Sequence, residues 1–177
     1  MKDTPRIRKP YPGEEAQLAQ VHVSAWKETY QGLMPDSFLD SLSVEKRRTI
    51  WKRKIQESSE NSRDSLSLVA LNPDGEIVGF ASGGAEREAA CRYDGELYAL
   101  YLLRKAQGHG QGRKLFEEFT ALLRSRGYHS MRIWVLEANP TRGFYERMGG
   151  ELQPEIKSAD FGGVSCVEVS YGWTLNP

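Results

Sequence analysis

"LYALYLLRKAQGHGQGRKLFEEF", Leu97 to Phe119, carries an apolar run, a glycine cluster and a helical pattern in immediate succession. The apolar run, read from Glu96 as ELYALYLL, predicts a strand buried on both faces, because almost nothing in it is polar. Beyond it, Leu115, Phe116, Phe119, Leu122 and Leu123 recur at helical spacing and stop at Gly127, a natural C-cap. Gly108, Gly110 and Gly112 therefore stand where a strand hands over to a helix. The first amides of a helix have no internal partner and carry the positive end of its dipole. Removing Cβ atoms there lets an anion reach several N–H groups at once. Arg113 and Lys114 add positive charge in the first turn, where the dipole alone disfavours it. The junction reads as a pyrophosphate cradle; a tight turn without a ligand is the alternative. A Walker A loop is excluded, since no Gly-Lys pair is followed by Ser or Thr. A dinucleotide fingerprint fits poorly, because "GHGQGR" lacks the third glycine and lies past the middle of the chain.

The rest of the chain sets bounds on this reading. Its 177 residues suit one domain, spanning 1–177, with enough length to bury a core unaided. Lys plus Arg and Asp plus Glu number 24 each, so no global charge draws it to nucleic acid or a membrane. Two cysteines, Cys91 and Cys166, make no disulfide framework. "MKDTPRIRKPYPGEE" has no apolar core of a signal peptide, and the longest apolar run is far too short to span a bilayer. The expectation is a cytoplasmic protein.

Further elements follow from periodicity. "RIRK" is a short first strand. Leu18, Val21, Ala25, Trp26 and Thr29 predict an amphipathic helix from about Glu14 to Tyr30. "GLMPDSFLDSL" is a loop with a short helix, and "SVEKRRTIWKRKIQES" a further helix capped by Ser43. "SLSLVALNPDGEIVGFAS" is a hairpin about an Asn-Pro-Asp-Gly turn, and "AEREAACRYDG" a polar connection. "SMRIWVL" is a strand. Asn139-Pro140 supplies an N-cap and a first-turn proline for a helix ending at Gly149. "PEIKSADFGG" is a loop, and Val167, Val169, Tyr171 and Trp173 alternate in a last strand. The class is mixed α/β.

Two of these passages resemble a known family. "LYLLRKAQGHGQGRKL" is similar to motif A of the GNAT superfamily of acetyl-CoA-dependent N-acetyltransferases, with the Q/R-x-x-G-x-G/A signature met by Gln107, Gly110 and Gly112. "WVLEANPTRGFYERMGG" resembles motif B, and "VHVSAWKETYQGLMP" the acceptor-side helices of one bacterial branch. The element order agrees from Arg6 to Trp173. The resemblance implies a mostly antiparallel sheet of about seven strands flanked by about four helices. It also implies acetyl-CoA as co-substrate, no metal, and an amine acceptor.

Carried over by position, the resemblance gives the coenzyme arm the backbone of Leu100, Tyr101 and Leu102. The pyrophosphate falls to Gln107, Gly108, His109, Gly110, Gln111, Gly112 and Arg113, with Lys114 beside it. Asn139 is similar to the asparagine that contacts the arm, although it stands six residues before Tyr145, one fewer than the common spacing. Tyr145 resembles the tyrosine that protonates the departing thiolate. Glu96 holds the position of a glutamate base in histone-acetylating relatives, yet six strand residues to Leu102 span roughly 20 Å. It is a base only through a bulge or a water; otherwise it is a solvated carboxylate, with Glu137 and Tyr98 as substitutes.

Such chemistry needs little from the protein. A strand amide at Leu102 would donate to the oxyanion, a phenol would protonate sulfur, and positioning would do the rest. Trp26 and Tyr30 either wall the acceptor pocket or pack in the core. His22, His109 and His129 lack metal-ligand spacing. The basic run from Lys46 to Lys54 would suit nucleic acid or an acidic partner, but at zero net charge a solvated helix face is the preferred reading. Two functions stay open: an N-acetyltransferase acting on a small amine or a peptide N-terminus, and a non-catalytic acyl-CoA-binding module. The acceptor, the length of the acyl group and homodimer formation are not legible.

Overall fold

In the computed structural model, which describes residues 6–59, 63–89 and 91–175, the chain first runs β1 (Arg6–Arg8), α1 (Glu15–Tyr30), α2 (Asp36–Asp40) and α3 (Val44–Ser59). It continues β2 (Leu66–Leu71), β3 (Ile77–Ala85), β4 (Gly95–Leu102), α4 (Gln111–Ser125) and β5 (Ser130–Leu136). It ends α5 (Arg142–Arg147), β6 (Glu151–Phe161) and β7 (Val164–Thr174). The strands form one sheet in the order β1-β2-β3-β4-β5-β7-β6, antiparallel everywhere except between β4 and β5.

Local chemistry accounts for most boundaries. Ser43 accepts the Lys46 N–H at 3.2 Å and caps α3 as expected. The β2–β3 turn closes on Asn72, whose side chain accepts the Glu76 N–H at 2.8 Å, with Gly75 at φ +87°. α4 ends where Gly127 takes φ +80° and the Tyr128 N–H returns to the Leu123 carbonyl.

Two cores form on the two faces of the sheet. Leu115, Phe116, Phe119 and Leu123 of α4 pack against Leu68, Leu97 and Met131. On the other face Leu18 of α1 and Trp51 and Ile55 of α3 pack against Val69 and Phe80. Adjacent residues of β2 thus enter different cores, which is why this strand is apolar throughout.

Three expectations are corrected. "PEIKSADFGG" is not a loop: it lies in β6, which pairs with β7 across a turn at Gly162 and Gly163. Its period was hidden because this edge strand is largely exposed and its register shifts between Leu152 and Ile156, around Pro154. Asn139 does not cap α5. The helix starts at Arg142 behind Thr141, while Asn139 turns the chain by accepting the Thr141 N–H at 3.0 Å. β4 is not buried throughout, since its stretch from Tyr98 to Tyr101 is only half-buried.

That last departure positions the site. Ser82 pairs with Ala99 and Gly83 with Leu97, so Tyr98 is an extra residue, a β-bulge. β4 and β5 pair only at Gly95–Met131 and Glu96–Arg132. Beyond those two positions the strands part, and the sheet opens.

Candidate active site

The opening holds a cavity of about 810 Å³, within the range of roughly 300–1,000 Å³ that suits a whole ligand. One wall is β4 from Tyr98 to Leu102; the other is Ile133, Trp134 and Val135 of β5. α4 closes the end beyond Leu102, and α5 contributes Phe144 and Tyr145.

At the α4 end the three glycines divide by conformation. Gly108 and Gly110 take φ +79° and +80°, a region that a residue with a Cβ enters only at a cost. No atom lies within 4 Å of where a Cβ would stand at either. Gly112 differs: a Cβ there would meet Leu102 at 3.3 Å and Phe144 at 3.6 Å. It lets α4 sit close over β4 and α5. No side chain caps α4, so its first N–H groups face the cavity end without a protein acceptor. Gln107 lines the cavity. Its Nε2 donates to the Leu102 carbonyl at 3.0 Å, tying the loop to the end of β4.

The flanking cations are only partly explained by an anion. Arg113 lines the cavity but also pairs with Glu117 at 3.3 Å, and Lys114 pairs with Glu118 at 2.8 Å, each one helical turn away. Lys114, His109 and Gln111 do not line the cavity. The Gln111 side chain turns back towards the Leu71 carbonyl.

The cavity lining also gathers three tyrosines. Tyr30 of α1 and Tyr101 of β4 hold their hydroxyls 2.6 Å apart. Burial raises the pKa of both, and that of Tyr101 rises far above the ordinary phenol value. Tyr145 is 5% exposed, and burial, followed by the nearby Tyr30 oxygen, keeps its hydroxyl protonated well past the usual range. Among the described residues that hydroxyl has no hydrogen-bond partner. Phe144 is the less buried of the two neighbours and also lines the cavity. Asn139 is 4% exposed and spends Oδ1 on Thr141, so its amide nitrogen is the group left to offer.

Glu96 and Trp26 are not brought to this cavity. The Glu96 side chain is 2% exposed and held by the Arg87 guanidinium through both oxygens, with the Arg87 N–H adding a third bond at 3.2 Å. Tyr98, named as a substitute base, lines the cavity, but its pKa is pushed up to about 12 by burial and then by Glu96. Glu137 is exposed and does not line it. The sequence reading missed Ile133, Val135, Arg147 and Met148. For β5 the signal was partly present, since "SMRIWVL" reads as a strand; its pairing with β4 is seen only in the fold. For Arg147, three residues after Phe144 on a helix, only the helical spacing pointed there. Among the described residues no cluster of His, Cys, Asp or Glu could hold a metal ion, and no helix is long and apolar enough to cross a membrane.

The sequence model of the acetyltransferase (GNAT) family matches residues 18–150. The chain is 36% identical over 156 residues to the uncharacterized N-acetyltransferase YuaI of Bacillus subtilis (strain 168), covering 88% of this chain and 85% of that one. In fold it is similar to the PaiA N-acetyltransferase of Thermoplasma acidophilum, solved in complex with coenzyme A. The TM-score is 0.73 at 22% identity, over 97% of this chain and 99% of that one. It is also similar to YncA of Salmonella typhimurium, solved with acetyl-CoA, at TM-score 0.72 and 18% identity, over 98% and 95% of the two chains.

Proposed function

This chain belongs to the acetyltransferase (GNAT) family, and from that premise we propose that it transfers the acetyl group of acetyl-CoA to a primary amine by direct attack in a ternary complex. One observation carries the reading. The parted strands β4 and β5 bound a single cavity with uncapped helix amides at one end and an unpartnered tyrosine hydroxyl among its lining groups.

The residues present fit the coenzyme. The N–H groups of Gln111, Gly112 and Arg113 would bind its phosphates, with Gly108 and Gly110 leaving room for close approach. The parted edge of β4 would hold its arm. The Leu102 carbonyl is directed to Gln107, whereas the Leu103 N–H bonds back to Val78 of β3. In an extended strand the N–H and C=O of one residue share a side, so the Leu102 amide faces the opening too. There it would donate to the carbonyl oxygen as negative charge develops.

Bound acetyl-CoA supplies the activated thioester. Tyr145 stays protonated at neutral pH and would give its proton to the leaving sulfur. No direct proton transfer is assigned to Glu96, whose carboxylate is closed by Arg87; the attacking amine is neutral and sheds its surplus proton to water, from which the Tyr145 phenolate would be reprotonated. The enzyme reading is favoured over a mere binding module by Tyr145, because coenzyme binding alone requires no acid. The test is calorimetric titration with acetyl-CoA, followed by free-thiol release across a panel of amines. Micromolar binding with amine-dependent release is expected. Absence of acetyl-CoA binding would overturn the proposal.

A further inference from the structure

A second hollow, of about 240 Å³, lies on the other face of the sheet, between α1, α3 and β4. Its lining includes His22 and Trp26 of α1, Arg47 and Lys54 of α3, and Arg87. Tyr98, Ala99 and Tyr101 line both this hollow and the large cavity, so the bulged stretch of β4 is their common wall. The volume falls below the roughly 300–1,000 Å³ of a complete ligand site. It suits the end of a molecule.

The charge in the hollow is one-sided. Arg47, Lys54 and Arg87 converge on it, and of these Arg87 is committed to Glu96. Among the described residues Arg47 and Lys54 have no ion-pair partner. Glu57, the acid that acts on Lys54, pairs with Arg53 at 3.6 Å. What meets the two cations instead is aromatic: Arg47 lies 5.5 Å from the Trp26 ring, and Lys54 lies 5.5 Å from Tyr98 and 5.9 Å from Trp51. Burial lowers the pKa of Lys54, and the like charge of Arg87 lowers it further; burial does the same to Arg47. Half-buried cations without a counter-charge are unfavourable, and an incoming anion would relieve them.

Neutral donors stand beside the cations. His22 accepts the Trp51 Nε1–H on Nδ1 at 3.2 Å. Burial and then Arg47 lower its pKa to about 3, so the ring is neutral and carries its proton on Nε2 as a donor. The Trp26 Nε1–H is buried without a partner. Among the described residues none lining the hollow is a carboxylate. The hollow and the large cavity meet at Tyr101, whose hydroxyl lies 2.6 Å from that of Tyr30, another residue of the large cavity.

Resting on the acetyl-transfer reading above, we propose that this hollow is the anion subsite of the acceptor, taking a carboxylate or a phosphorus oxyacid joined to the amine by a chain long enough to pass Tyr98 and Tyr101, so that the nitrogen lies in the large cavity. Arg47 and Lys54 bind the anion, His22 and Trp26 add neutral donors, and Glu96 holds Arg87 in place. A polyamine would meet Arg47 and Lys54 there and be repelled.

The test uses matched ω-amines whose nitrogen is too far from the acid for its basicity to change: 6-aminohexanoate against 6-aminohexanamide, and 4-aminobutylphosphonate against 4-aminobutanol, with spermidine as the polycation. Initial rates of thiol release give KM for each. The acid member of at least one pair should show a KM at least about tenfold below its neutral partner, equal to about 1.4 kcal/mol. Which pair does so distinguishes a carboxylate from a phosphorus oxyacid. In Arg47→Gln and Lys54→Gln, checked for folding by thermal melting, that ratio should fall towards one, and Arg47→Lys should restore part of it. Calorimetry of the same pairs on the protein saturated with coenzyme A reads the preference without turnover. A chain that binds the acid member preferentially but releases no thiol would defeat the transfer reading and leave the hollow assigned. Equal KM and equal binding within every pair, or a preference for spermidine, would overturn the subsite. So would a preference that survives both Gln variants.

Discussion

The hydroxyls of Tyr30 and Tyr101 lie 2.6 Å apart, although 71 residues separate them in the chain. Tyr30 ends α1 and Tyr101 stands just past the bulge in β4, so this bond pins the first helix to the strand that opens the sheet. Tyr30 is 6% exposed, so removing its partner leaves a buried hydroxyl to satisfy. Tyr101→Phe should therefore destabilise by about 1–3 kcal/mol. Tyr30→Phe/Tyr101→Phe together should cost less than the sum of the single changes. A double-mutant cycle from urea unfolding checks this; strict additivity would show that the two oxygens do not interact.

Tyr145→Phe separates chemistry from folding. The hydroxyl has no partner to lose, so melting temperature and acetyl-CoA affinity should stay near wild type. A general acid is worth roughly 10²–10⁴-fold, and the loss should fall on kcat, since the proton moves in the transition state. Undiminished kcat under conditions where chemistry limits the rate would remove Tyr145 from the reaction.

The cradle is tested at Gly110. At φ +80° a side chain is strained by about 1–2 kcal/mol, although its Cβ would touch nothing. Gly110→Val should weaken acetyl-CoA at least about tenfold, or 1.4 kcal/mol, in a protein that still folds. Gly112→Val should do the same by another route, pressing on Leu102 and Phe144. Wild-type affinity by calorimetry in both folded variants would end the phosphate reading.

The buried imidazole of His22 predicts a pH dependence. Its folded pKa is depressed to about 3, whereas the unfolded group titrates near 6.5. Between those values the unfolded chain binds a proton that the folded chain refuses, so stability falls as pH falls below about 6.5. From pH 6.5 to 5 this one group should remove about 2 kcal/mol. His22→Gln should flatten that part of the stability–pH curve measured by urea unfolding. An unchanged slope would mean that the ring takes up a proton in the folded state.

The ion pair of Arg132 with Glu86 is a stability element outside both cavities. The side chains are each 4% exposed and bond at 2.8 and 3.0 Å, tying the connection after β3 to β5. Arg132→Met leaves Glu86 buried and uncompensated, which should cost about 3–5 kcal/mol. Arg132→Met/Glu86→Gln should recover most of it. Thermal melting reads both, and equal losses would mean that the charge itself is not what matters.

What the sequence determined alone is local. The handover from strand to helix around the glycine cluster, the cap at Ser43, the Asn72 turn and the stop at Gly127 all rest on backbone chemistry within a few residues, and each stands in the structure as expected. The strand β6 was illegible because an exposed edge with Pro154 shows no clean alternation. What the tertiary structure alone decided is long-range. The bulge at Tyr98 is a mismatch of register between β3 and β4, and no single strand carries register. That mismatch, with two paired positions between β4 and β5, opens the large cavity and gives it a wall in common with the basic hollow. Glu96 became the anchor of Arg87, and Arg47 left a supposedly solvated helix face to line the hollow beside His22 and Trp26. Charges and hydroxyls act over a few ångströms whatever their separation in the chain, so only the folded sheet could say which of them meet.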